Sequence, residues 1–191
     1  NYLMEIKRVQ ANGPYYLAGW SLGGVIGYEM ARQLENSGEN VALLALIDSY
    51  TPAQLHAIEQ NALQQYGQDN LLFMQFAQTL GLANNITSTD FDLQTRLTEL
   101  GQQLGDTGEI TLNKLNHLFT LYKTHNLAMN QYQPQPYNGR VTLFTPHKQF
   151  EINHQDIDNW STLSGGNIQI IDITGVGDLI KKTPALNGLR I

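Results

Sequence analysis

Gly19-Trp20-Ser21-Leu22-Gly23 has the G-x-S-x-G spacing in which a serine hydroxyl is set up to attack a carbonyl carbon. The motif gains weight from what surrounds it. An apolar run at residues 15–18 fits a buried strand, and helical spacing resumes at Gly23 and continues through Val25, Tyr28, Met30, Ala31 and Leu34. A serine on such a strand-to-helix turn is strained and presents its hydroxyl at the top of a sheet. Small residues around it let the two backbones approach, which gives Gly19, Gly23 and Gly24 a steric reason to be glycine. The start of the helix adds positive potential where an oxyanion would form, and the Leu22 backbone N–H is a candidate donor to it. A nucleophilic serine also needs a base, and the base needs an acid that orients it. Asp48 is the candidate acid, because it directly follows the apolar run 41–47 at the carboxyl edge of a sheet, where ligands and reactive groups collect.

The elements that must position this pair follow from periodicity. Tyr2, Leu3, Ile6 and Val9 recur at helical spacing up to the turn signal Asn12-Gly13-Pro14. Asn36-Ser37-Gly38 ends the helix that begins at the elbow. Val41-Ala42-Leu43-Leu44-Ala45-Leu46-Ile47 is unbroken and apolar, as in a parallel strand buried on both faces. From residue 52 to about 131 no strand signal occurs. Leu71, Leu72, Phe76 and Leu80 suit one amphipathic helix, and Leu112, Leu115, Phe119, Tyr122 and Met129 suit another. Thr89, with Asp92 three residues later, reads as a capping box for a third. An insertion of this length forms a lid over a site or a small domain of its own, covering helices being the plainer alternative. Pro134-Gln135-Pro136 marks the boundary, residues 140–144 and 168–173 read as strands, and 184–191 as a short last helix. The fold class is α/β: a mostly parallel sheet with helices on both faces and a helical insertion over about 52–131, in a single domain spanning 1–191.

Composition narrows the chemistry. The 191 residues are 41% hydrophobic and 15% charged, too apolar for disorder and long enough for a real core. With no cysteine there is no disulfide, thiolate metal site or cysteine nucleophile, and no His/Asp/Glu set has the spacing of a metal site. A net charge of −6 disfavours nucleic acid as the main partner. The longest apolar run has seven residues, and the start Asn1-Tyr2-Leu3-Met4-Glu5 lacks signal-peptide character. The expectation is a cytoplasmic protein without a membrane partner.

Three stretches together resemble a known family. Gly13-Pro14-Tyr15-Tyr16-Leu17-Ala18-Gly19-Trp20-Ser21-Leu22-Gly23-Gly24, then Leu46-Ile47-Asp48-Ser49, then Tyr132-x-Pro134-x-Pro136-Tyr137-x-Gly139-Arg140-Val141-Thr142-Leu143-Phe144 look like a type I thioesterase domain. These α/β-hydrolases end non-ribosomal peptide synthetases and polyketide synthases. The resemblance implies that Ser21 takes an acyl or peptidyl chain from the 4'-phosphopantetheine arm of a carrier protein domain. Water or an internal nucleophile then releases it, with no cofactor bound by the domain itself. It places the triad acid at Asp48. It also implies that the fold's first strands, with the loop supplying a second oxyanion donor, would precede residue 1. The family's histidine falls in a Gly-x-His segment after the last strand; here Gly175-Val176-Gly177 puts Gly177 in its place, and no histidine follows His154. His154 and His147, beyond the strand at 140–144, are the candidate substitute bases. His56, His117 and His125 fall in the insertion and read as polar helix positions. Trp160 matches a core position of the family, and Trp20 either lines an acyl pocket or packs beneath the lid. Two other readings stay open: a catalytically degenerate module that binds a carrier protein, and a small-molecule serine esterase.

Overall fold

The computed structural model describes residues 2–82, 92–104, 112–145 and 159–173. Four strands, β1 (Tyr15–Trp20), β2 (Val41–Ile47), β3 (Val141–Thr145) and β4 (Ile168–Asp172), form a sheet in the order β1-β2-β3-β4, every pair parallel. Trp20 pairs with Ile47, and Ile47 with Phe144, so the carboxyl ends of three neighbouring strands are level. His147, His154, Thr89, Gly177 and the segment 184–191 lie outside the described residues.

Period-two alternation puts Tyr15 and Leu17 on one face with Leu44, Leu46, Val141 and Leu143, all buried. Helix α2 (Leu22–Asn36) packs against β1 and β2 and buries Val25, Tyr28, Ala31 and Leu34. Burying a side chain of the size of Val25 or Leu34 contributes roughly 1.5–3 kcal/mol. The opposite face departs from expectation. Leu44, Ala45 and Leu46 are buried, yet Leu43 and Ile47 are 39% and 36% exposed, and Tyr16 and Trp20 beside them are 69% and 70% exposed. A parallel strand is buried twice only where both faces carry a layer; among the described residues, none covers Tyr16 and Trp20. Helix α1 (Tyr2–Val9) forms as its spacing predicts but buries none of its residues.

The chain divides into two compact units, 1–55 with 133–191, and 56–132. Helix α3 (Pro52–Tyr66) begins in the first. Its start is a capping box: the Gln54 N–H donates to Thr51 Oγ1 at 3.2 Å, and the Thr51 N–H donates to Gln54 Oε1 at 3.0 Å, with Pro52 as first helical residue. In the second unit, α4 (Gln68–Thr79), α5 (Leu93–Gln103) and α6 (Leu112–Gln131) build a separate core from Phe73, Phe76, Ala77, Leu97, Leu100, Leu115 and Phe119. Helix α5 starts differently from the sequence reading. Asp92 is itself the N-cap, accepting from the Thr95 N–H at 2.9 Å, rather than the third residue after a cap. Arg96 is buried in this unit, 4.0 Å over the Phe73 ring, and donates to Asn70 Oδ1 at 2.7 Å. No helix among the described residues is long and apolar enough to cross a membrane.

In the first unit an aromatic cluster ties distant segments together. The Tyr28 ring lies 4.7 Å from Trp160, at the start of the short helix α7 (Trp160–Leu163), and edge-on to Tyr137 at 5.8 Å. Its hydroxyl proton is shared between the carbonyls of Gln135 at 3.0 Å and Leu163 at 3.1 Å. Burial holds this phenol far above its ordinary pKa, so it donates at any working pH. Tyr28→Phe keeps the ring and removes the donor, which lowers the unfolding free energy by about 1–2 kcal/mol in urea titration. An unchanged midpoint would show that these bonds do not hold the segments together.

Candidate active site

Strand β1 ends at Trp20 and α2 begins at Leu22, leaving Ser21 to make the whole turn. It does so at φ 52° and ψ −124°. Asp48, the first residue after β2, has φ 46°. Among the described residues these are the two non-glycines with positive φ. Conformations of this kind cost about 1–3 kcal/mol each and gather at functional sites. The two residues singled out for their chemistry are thus the two the backbone strains.

Ser21 occupies the N-cap of α2, where a serine oxygen ordinarily accepts a bond from the first helical turn. It makes no such bond, and the residue is exposed. Its backbone, by contrast, is held on both sides. The Ser21 N–H donates to the Ile47 carbonyl at 2.9 Å, and the Ser21 carbonyl accepts from the Gly24 N–H at 3.0 Å and from Ser49 Oγ at 2.9 Å. Leu22, as the first helical residue, has no carbonyl one turn earlier to which its N–H can donate. That leaves it at the positive end of the helix, suited to a developing oxyanion.

Close approach explains two of the three elbow glycines. A Cβ on Gly19 would run into the Gly23 backbone, and one on Gly24 into Ser49 Oγ. Gly23 corrects the sequence reading: nothing lies within 4 Å of where its Cβ would be. Its carbonyl, not its missing side chain, is what crowds Gly19.

Asp48 donates its N–H to the Phe144 carbonyl at 2.7 Å, so this candidate acid is pinned to β3 as Ser21 is pinned to β2. Its Oδ1 is buried with no hydrogen-bond partner among the described residues. A buried acceptor left unmade costs about 1–3 kcal/mol, and an imidazole N–H is the donor that would complete it in a triad. The described histidines belong to other elements. His56 is in α3, 3.2 Å from Gln60 Nε2, and His117 and His125 are in α6, all within the second unit. Burial, and next the charge of Asp48, push the Tyr50 phenol upward. Trp160 is core, 2% exposed, and its Nε1–H donates to the Ser49 carbonyl at 2.8 Å. Trp20, by contrast, is mostly exposed. Tyr50 escaped the sequence reading, and Ser49 entered it only as part of the stretch Leu46-Ile47-Asp48-Ser49, without a role. No group of His, Asp and Glu among the described residues would hold a metal ion.

The family model for the thioesterase domain matches residues 1–175. The chain belongs to the thioesterase domain family. A dimodular nonribosomal peptide synthase of Bacillus subtilis (strain 168) is 29% identical over 175 residues, which are 91% of this chain and 7% of that protein. The non-reducing polyketide synthase Preu8 of Preussia isomera is 57% identical over 54 residues, 28% of this chain and 2% of that protein. The matched stretches thus span only 7% and 2% of the length of these two curated relatives. Among solved structures, the NocB thioesterase domain in covalent complex with a fluorophosphonate nocardicin G analog superimposes with a TM-score of 0.53 at 21% identity, covering 90% of this chain and 61% of that one. That likeness establishes the fold, a mostly parallel sheet of α/β-hydrolase type.

The elbow geometry fixes the outcome of four substitutions. Ser21→Ala shifts the unfolding free energy by less than about 0.5 kcal/mol, because no cap bond is lost, whereas an ordinary N-cap serine costs ~1 kcal/mol. Ser21→Gly raises it by about 1 kcal/mol through relief of the positive φ. Gly19→Ala destabilises by several times that amount, while Gly23→Ala stabilises by about 0.5 kcal/mol. Urea titration of the four variants is the check. A loss of ~1 kcal/mol in Ser21→Ala would show that the hydroxyl caps α2 after all.

Proposed function

We propose that this thioesterase domain releases an acyl or peptidyl chain from the phosphopantetheine arm of a carrier protein through a seryl ester on Ser21. The observation that carries the reading is the pair of level strand ends. Ser21 stands there with a hydroxyl that makes no cap bond to α2, and Asp48 stands beside it with a buried oxygen that has no donor among the described residues. Ser21 Oγ attacks the thioester carbonyl and gives its proton to the base. The tetrahedral oxyanion lies against the Leu22 N–H. The arm's thiolate leaves and takes the proton back. Water or a hydroxyl or amine of the chain itself then attacks the ester, yielding an acid or a macrocycle and freeing Ser21.

For the base we propose His154, with His147 second. Both follow β3, which is the parallel neighbour of the strand carrying Asp48 and ends at the same edge. A second reading has its own support. With Gly177 in the family's histidine position, a domain lacking any base would bind a carrier protein without turnover.

Intact-mass labelling with a serine-directed fluorophosphonate separates the two. The expected result is one adduct, absent in Ser21→Ala and slowed on the order of 10⁴-fold in Asp48→Asn and in the histidine variant that removes the base. A folded chain that takes no adduct would overturn catalysis and leave the carrier-binding module. Faster turnover of a free ester than of a carrier-bound thioester would instead point to a small-molecule esterase.

A further inference from the structure

We propose that Ser49 is a positioning residue for Ser21, and that the Trp160 indole holds Ser49 in that role; the proposal rests on Ser21 being the nucleophile. Ser49 is 5% exposed, and its hydroxyl lies 2.9 Å from the Ser21 carbonyl and 3.1 Å from the Ile47 carbonyl. A residue at φ 52° has no deep backbone minimum of its own, so the direction of its peptide planes has to be imposed from outside. On the amide side, the last rung of the β1–β2 ladder imposes it. On the carbonyl side, the Gly24 N–H and the Ser49 hydroxyl do so together.

Room has been made for that hydroxyl, since any side chain at position 24 would collide with it. Ser49 is in turn fixed from 111 positions away, by the Trp160 Nε1–H on its carbonyl. The indole cannot easily drift, because it is buried against the Tyr28 ring. The same clamp bears on the acid. Asp48 is bonded to β3 through its own N–H, and the carbonyl of the next residue is held by Trp160. One buried serine therefore sets the register between the nucleophile and the acid without touching substrate.

The test reads the rate of fluorophosphonate reaction at saturation separately from the affinity for the probe. The variants are Ser49→Ala, Trp160→Phe, the double variant, and Tyr28→Phe as a stability control. Ser49→Ala and Trp160→Phe each lower the saturating rate by roughly five- to tenfold with probe affinity unchanged, the worth of one neutral hydrogen bond. The double variant is no slower than about the slower single one, since both break one chain of contacts. Tyr28→Phe melts earlier yet reacts at the parent rate. A parent rate in Ser49→Ala, or losses in all variants that follow melting temperature, would overturn the proposal. Hydrogen exchange over residues 19–27 gives a readout independent of chemistry. If the parent takes no adduct, the catalytic reading fails on its own. Faster exchange at the elbow confined to Ser49→Ala and Trp160→Phe then still supports positioning, and unchanged exchange overturns it.

Discussion

The hydrogen bond from the Ser21 N–H to the Ile47 carbonyl is the last rung of the β1–β2 ladder, and the site depends on it. Parallel pairing makes strand ends level only if the register is held to the final residue, because a slip of one residue sends each side chain to the other face. Here the register keeps Leu17 opposite Leu44 and Gly19 opposite Leu46 beneath α2, and the same register delivers Ser21 beside Asp48. Burial of an apolar face and the placement of Ser21 beside Asp48 are thus one constraint. The core chooses the register, and the register makes the site.

Much of this is legible from the chain because it is local. The elbow glycines, the seven-residue run of β2 and the helical spacing of α2 are short-range patterns, and each produced its element within two residues. What escaped is non-local or conditional. Gly23 looks like Gly19 and Gly24, but only contact with the rest of the fold shows that nothing crowds it. The run 41–47 reads as buried twice, yet exposure at Leu43 and Ile47 depends on whether a second layer covers that face, which periodicity does not report. Helix α3 carried a start in Thr51-Pro52-Ala53-Gln54 that the sequence reading did not use. Ser49 stood in a stretch that carries the family resemblance, but nothing in the sequence gave it a role of its own. A serine after an aspartate is ordinary in sequence and matters only through Trp160 and Ser21, which folding brings to it.

The second unit shows the opposite balance. Its core is an aromatic and leucine cluster of the kind helical periodicity predicts, with Phe119 edge-on to Phe73 and Phe76. Arg96 interrupts the pattern as a buried cation lying over a phenyl ring, stabilised by the π face and by Asn70. Helical spacing alone would assign such a residue to the solvent side. Its long aliphatic stem lets it line the core while its guanidinium seeks an amide and a ring.

The two positive φ angles carry a consequence for the history of this chain. Each strained residue would be relieved by glycine, so a domain released from selection for turnover gains stability by drifting there. Mutation without constraint would find positions 21 and 48 among the easiest improvements available. This sequence still holds Ser and Asp at both. The chain has therefore kept, at both positions, the residues that are hardest to keep without a use for them.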